Sequence, residues 1–251
     1  MGFYGLLFGG ALGLIGLMLL AWMMGARRSA SEAEAPKGLE TVSGALFALF
    51  GLLLAFSFSA SASRFEQRRT ISLQEANAIG TAALRLDLLP RDAQAEARAI
   101  FKAYLDSRYR YLSVAGAGGE YHKEWDEVQR IQSRLWSHAI NSGPTDRQVP
   151  SNTVLLPALN EMFDITSTRH IAIQTHVPVV IVMLLGLFAV ITSYLGGRLA
   201  HRTPSTRAVG VLYTACVVIT LLVMIDIDFP RRGLIRANNA DILIEDLRAK
   251  F

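Results

Sequence analysis

Two carboxylates stand together at the end of the last apolar run of this sequence: Asp226 and Asp228, followed by Pro230-Arg231-Arg232. Acidic side chains beside hydrocarbon are costly and tend to be kept for use. The pair would suit a cation site or a proton site. The competing reading places both acids at headgroup level, neutralised by the adjacent arginines. Glu161 and Asp164 are spaced i, i+3 and would share a helix face, as cation ligands or as a solvated face near Arg169. The histidines His122, His138, His170, His176 and His201 form no recognised metal-ligand motif, and His170 and His176 do not fall on one helical face. No GxxxxGK(S/T), HExxH, GxSxG or CxxC motif is present. The lone Cys216 permits neither an intrachain disulfide nor a cysteine-based zinc site. These residues point away from an enzyme and imply no cofactor and no metal, with Asp226 and Asp228 the weak metal candidates.

A different pattern is physical rather than reactive. Ala48, Leu52 and Phe56 follow i, i+4, i+8 and line one face of a helix; Thr70, Gln74, Asn77, Thr81 and Arg85 form a polar stripe further along. Several copies packed around an axis would turn the apolar face into a constriction that can gate by dewetting, and the polar stripe into a wetted vestibule. The bland alternative is that both are ordinary packing faces of a helical bundle.

The elements that carry these residues follow from composition. The 251 residues are 51% hydrophobic and 18% charged, and their mean hydropathy is +0.32. Soluble domains carry roughly 25% charged residues, so the chain reads as a membrane protein. A net charge of +4 is too mild to imply nucleic acid. Four apolar stretches are long enough to cross about 30 Å of hydrocarbon: Phe3–Met24, Ser43–Ala62, Val177–Leu195 and Ala208–Ile225. The first lacks the basic flank and cleavage site of a signal peptide and is read as a retained span. The expected organisation is 1–63, helices one and two; 64–176, a polar insert; 177–228, helices three and four; and 229–251, a C-terminal tail.

The insert holds 14 Lys and Arg against 13 Asp and Glu. Two spans, an insert and two more spans place both termini and the insert on one side. That side has nine basic residues near span ends (Arg64, Arg68, Arg69, Arg169, Arg231, Arg232, Arg236, Arg248 and Lys250). The short loops have six: Arg27, Arg28, Lys37, Arg198, Arg202 and Arg207. The positive-inside rule then makes insert and termini cytoplasmic.

The insert itself reads as helices. Arg64–Leu89 has apolar residues at Ile71, Ala78, Ala82, Leu86 and Leu89, stops at Pro90, and continues the second span without a breaker. Asp92–Val114 ends at Gly116, Gly118 and Gly119, and Glu120–Ile140 is closed by Gly143 and Pro144. Asn152–Gln174 is expected to feed the third span directly. Ser31–Gly38, with Pro36, is a short polar link. The fold class is therefore an all-α membrane protein, with four transmembrane helices and a helical insert continuous with the second and third spans. No strand pattern or repeat competes.

The run from Leu53 to Arg69 (LLAFSFSASASRFEQRR), the run from Glu75 to Arg85 (EANAIGTAALR) and the run from Asp228 to Arg236 (DFPRRGLIR) resemble the bestrophin-like family of bacterial membrane proteins. That family is distantly similar to the bestrophins, pentameric anion channels with a hydrophobic neck on the second transmembrane helix. With Arg64-Phe65 set against the bestrophin Arg-Trp, the resemblance implies neck positions at Phe56, Leu52 and Ala48. It also implies a homo-pentamer in the bacterial inner membrane, with lipid and inorganic anions as partners. Small residues over Ser57–Ala60 replace the asparagine pair after the neck, and the acidic calcium clasp is reduced to Asp226 and Asp228. Arg64, Arg68, Arg69, Arg231, Arg232 and Arg236 would attract anions at the cytoplasmic mouth, or anchor headgroups instead. The other reading is a non-conducting scaffold whose insert binds a partner through Tyr104, Tyr109, Tyr111, Tyr121, Trp125 and Trp136, unless these aromatics fill a helical core.

Overall fold

The computed structural model describes residues 3–31, 36–115, 121–142, 151–200, 204–229 and 239–250. Every regular element among them is helical: α1 (Phe3–Ser31), α2 (Leu39–Arg85), α3 (Arg91–Val114), α4 (Tyr121–Asn141), α5 (Leu156–Gln174), α6 (Val179–Leu199), α7 (Pro204–Asp228) and α8 (Asn239–Lys250). The four expected spans lie in helices long and apolar enough to cross a membrane. The chain forms two compact units, and α2 passes from one to the other between Arg64 and Phe65.

The membrane unit consists of α1, α2 up to Arg64, α6 and α7. Its core is Met18, Phe50, Leu185, Ala189, Val217, Val218, Leu221 and Met224, with the Phe50 and Phe188 rings stacked 6.3 Å apart. Between membrane helices, close backbone approach by small residues replaces the hydrophobic drive that water supplies elsewhere. Here a Cβ on Gly197 would overlap the backbone of Trp22, and one on Gly25 the backbone of Tyr194. Glycines Gly196 and Gly210 leave room for the Trp22 ring in the same way. Nothing between Met24 and Ser31 breaks a helix, so α1 runs past the apolar stretch through Arg27 and Arg28.

The insert unit holds α2 from Phe65, with α3, α4, α5 and α8. Ile79, Ala82, Leu86, Phe101, Leu105, Leu135, Leu159 and Met162 fill its core; each large side chain of this kind contributes roughly 1.5–3 kcal/mol on burial. α2 tightens into a 3₁₀ turn at Leu86–Leu88 and stops at extended Leu89, the conformation a following proline imposes. Gln94 then donates to the Asp87 and Leu89 carbonyls. The tail residues past 238 form a helix, α8, whose Ile244 is buried in the insert core.

The insert continues α2 as a single helix. At its other end α5 leads to α6 across Thr175–Pro178, a short extended step rather than unbroken helix, with Thr175 at φ −81, ψ 113. Pro178 has no N–H to donate and bars Val177 from the helical region.

Candidate functional site

At 1.5 Å per residue the 47 residues of α2 extend roughly 70 Å, more than twice the hydrocarbon thickness. A helix of that length cannot lie wholly within the hydrocarbon. Between Leu39 and Arg64 only Ser43, Phe50 and Ser61 are buried. Ala48, Leu52 and Phe56 are all exposed on the face away from Phe50, with Leu52 at 52% and Phe56 at 65%. The exposed positions continue at helical spacing through Ser59, Ser63 and Gln67 to Thr70, Gln74 and Asn77, and then to half-buried Thr81 and Arg85. Much of this part of the helix is uncovered, and one line along it is apolar over its first three positions and polar thereafter. Arg85 is tethered through its guanidinium to the Val154 carbonyl at 2.9 Å.

The basic residues divide by environment. Arg64 donates from Nε to Asp228 Oδ1 at 3.1 Å and from Nη2 to the Ser61 hydroxyl at 3.1 Å. Buried Asp228 also accepts the Val177 backbone N–H on Oδ2 at 2.8 Å. Both of its oxygens are thus engaged by donors of this chain, and among the described residues its charged partner is Arg64 from α2. Arg68 is buried and donates to the Ala172 carbonyl at 3.0 Å and to the Thr175 carbonyl. It caps the C-terminal end of α5, where the helix dipole favours a cation. Arg69 is exposed, 3.8 Å from Glu66. Arg231, Arg232 and Arg236 lie outside the described residues. Among the described residues no group of three or more His, Cys, Asp and Glu is placed to hold a metal.

The insert interior contains a charge cluster that the sequence patterns did not flag. Glu75 on α2 is fully buried and accepts from Arg108 Nε of α3 and from Arg169 Nη1 of α5, each at 2.5 Å. Burial alone would raise the Glu75 carboxyl, but the two guanidiniums and their hydrogen bonds hold it below the ordinary carboxylate range. Beside it, burial and the Glu75 charge push the Tyr104 hydroxyl up to about 12, and this hydroxyl pairs with Thr166 Oγ1 at 2.8 Å. The Arg108 guanidinium lies 4.8 Å over the Tyr111 ring. Tyr111 in turn bonds His170 Nδ1 at 2.7 Å, and His170 stacks on Trp125 at 3.8 Å. Burial first, then Arg108 and His122, holds the His170 imidazole below its ordinary value. A signal was present: Glu75 falls on the buried face that carries Ile71, Ala78 and Ala82, and Arg108 sits one turn from both Tyr104 and Tyr111.

A family model for the Bestrophin-like domain matches residues 6–242. Among solved structures, a single-substitution variant of a bacterial bestrophin homologue from Klebsiella pneumoniae is 15% identical; 97% of this chain covers 98% of that one, with a TM-score of 0.69. A second variant of that homologue is 14% identical over 97% of this chain and 96% of its own, with a TM-score of 0.67. A structure described as a membrane protein is 16% identical over 94% and 96% of the two chains, with a TM-score of 0.63. No curated protein matches the chain. The structural likeness is one of fold, and the family match extends over nearly the whole sequence: this chain belongs to the Bestrophin-like family.

Proposed function

We propose that copies of this chain assemble around an axis into an ion channel, with α2 of each copy lining the path. The observation that carries this reading is the uncovered stripe on α2, apolar at Ala48, Leu52 and Phe56 and polar from Ser59 onward. In an assembly the three apolar positions, about 12 Å from first to last along the helix, form the constriction. Leu52 and Phe56 are the narrow points, because Ala48 projects too little to close a path. Thr70, Gln74, Asn77, Thr81 and Arg85 line the vestibule. A ring of apolar side chains holds no water stably when narrow, which makes it a gate as well as a filter.

The preference for anions rests on Arg69 and Arg85, with Arg231, Arg232 and Arg236 as further candidates. Arg64 and Arg68 contribute less, since Asp228 neutralises the first and α5 carbonyls occupy the second. A homo-pentamer in the inner membrane, with insert and termini cytoplasmic, is the arrangement that the bestrophin resemblance and the basic-residue bias favour. The test is halide flux into liposomes containing the purified protein, comparing wild type with Phe56→Ala. Flux above that of empty liposomes, increased by the shorter side chain, supports the pore. A protein that assembles yet passes no halide at any pH, calcium level or voltage is the non-conducting scaffold instead.

A further inference from the structure

The insert part of α2 presents a second line that the vestibule does not use. Leu73, Gly80 and Leu84 recur at i, i+7, i+11 on one face, about a quarter turn round the helix from the line of Thr70, Gln74, Thr81 and Arg85. Leu84 is 77% exposed, more than any other large apolar side chain among the described residues. It stands 22 residues past Ala62, about 33 Å along the helix and farther than the hydrocarbon is thick, so acyl chains do not account for its exposure. A glycine inside a helix is costly relative to alanine. Nothing lies within 4 Å of a Cβ added at Gly80, so packing within the chain does not call for that glycine. The flank on the other side of the vestibule line holds Ile71 and Ala78, both buried. On α5, Pro157, Asp164 and Ile171 fall on one line at i, i+7, i+14, and all three are exposed, Ile171 at 64%. Three hydrogen bonds set α5 antiparallel to α2, level by level: Arg68 to the Ala172 carbonyl, Arg169 to Glu75, and Arg85 to the Val154 carbonyl. Leu73 therefore lies near the level of Ile171, and Leu84 near that of Pro157 at the start of α5.

We infer that this α2 face packs against the α5 face of a neighbouring copy of the chain, Leu73 beside Ile171 and Leu84 beside Pro157, with Gly80 admitting the neighbour's helix between them. The inference rests on the proposed ring with α2 toward the axis, and it names the surface that holds the ring together. When one line of a helix faces the axis, the faces a quarter turn away point sideways. One sideways face of α2 is filled by the chain's own insert and the other is bare, which is what a head-to-tail contact requires. Rotation about an axis parallel to α2 changes no residue's height, so α2 of one copy meets α5 of the next at the same level. At both levels an exposed apolar residue then meets another. Asp164, between them, already accepts from Asn160 at 2.9 Å and is not stranded against Gly80. Arg69, exposed on the same side as Leu73, falls level with the C-terminal turn of α5, where backbone carbonyls favour a cation.

The test uses the full chain with Cys216→Ser, co-expressed as two differently tagged copies, one carrying Leu84→Cys and the other Pro157→Cys. A second set carries Leu73→Cys and Ile171→Cys. A short bismaleimide joins facing cysteines without the strict geometry of a disulfide. Both sets should give a covalent dimer bearing both tags, and Leu84→Cys alone should give none, because a head-to-tail contact never sets the α2 line against itself. Leu84→Arg, at a position open in the single chain, should leave the helical circular dichroism unchanged. It should raise the concentration needed for assembly roughly tenfold or more, read by light scattering in detergent. No mixed-tag dimer in either set, a dimer from Leu84→Cys alone, or assembly undisturbed by Leu84→Arg would each overturn the contact. Halide flux is read separately on the same preparations. Flux without cross-links rejects this contact and keeps the pore, whereas cross-links without flux keep the contact and reject the pore.

Discussion

Glu75→Gln is the substitution whose cost the structure defines best. The side chain keeps its size, so no cavity forms, but the charge is lost and one oxygen becomes an amide NH₂. That NH₂ must face either Arg108 Nε or Arg169 Nη1, both now 2.5 Å from the carboxylate, so a donor meets a donor. Removing one partner of a buried ion pair costs about 3–5 kcal/mol, because the remaining charge is left uncompensated. In a chain of this length each kcal/mol lowers the melting temperature by roughly 2–4 °C. The expected fall is therefore about 10 °C, read by tryptophan fluorescence, since Trp125 and Trp136 both pack against the insert core. Glu66→Gln, exposed and paired only with Arg69, should shift the midpoint by less than about 2 °C. Combining Glu75→Gln with Arg108→Met should cost clearly less than the sum of the two single changes, since the second removes a charge that the first had stranded. A Glu75→Gln midpoint within 2 °C of wild type, or strict additivity in the double variant, would refute the view that this cluster organises the insert.

Acid should weaken the insert in two stages. The folded values of His170 and Glu75 are both depressed, so each contributes stability above its unfolded value that is lost as pH falls toward its folded value: from 6.5 downward for His170, and from 4.5 downward for Glu75. Melting curves from pH 8 to 4 should show both stages, and His170→Phe, which keeps the stack on Trp125, should lack the upper one. In the membrane unit, Gly197→Val should force α1 and α6 apart at Trp22 and abolish a stable detergent-solubilised fold, whereas Gly44→Ala, where nothing lies within 4 Å of an added Cβ, should be silent in the same gel-filtration assay. Asp228→Asn should cost about 3 kcal/mol by stranding Arg64. In the proposed channel it should raise the preference for anions measured by reversal potential, because the released guanidinium is no longer neutralised.

The helices were legible because their signals are local. Apolar runs long enough to span a bilayer, Pro90 after Leu89 and the absence of any breaker between Ala62 and Arg64 depend on a few neighbouring residues. Each has its expected effect in the structure. The Glu75–Arg108–Arg169 cluster was not legible because its members lie 33 and 94 residues apart in sequence. A glutamate on an apolar face announces a buried charge but does not say which arginine answers it. Asp228 shows the same limit: its described partner, Arg64, lies on another helix, 164 residues away. The short extended step before Val179 was half visible. Pro178 marked a helix start, and only the backbone of Thr175 shows that α5 had already ended.

An exposed apolar stripe on a membrane helix does not by itself distinguish a pore from a lipid-facing surface, because acyl chains cover Leu52 and Phe56 as well as a neighbouring subunit would. The residues that follow on the same line are what favour the proposed pore. Exposed Ser59 and Ser63 lie at the end of the apolar span, where a lipid-facing helix would carry bulky apolar or aromatic side chains. By contrast, Ser57 on the flank returns its hydroxyl to the Leu53 carbonyl at 2.8 Å, as a membrane serine without water or a partner must. Beyond the span the stripe becomes Gln67, Thr70, Gln74 and Asn77, residues that would be unremarkable on a soluble surface. Here they continue the line of Ala48, Leu52 and Phe56 without changing face. A surface that turns from apolar to hydroxyl to amide along one line of one helix matches the gradient met by an ion leaving a dewetted constriction for a hydrated vestibule. Lipid would favour that sequence only as far as Phe56.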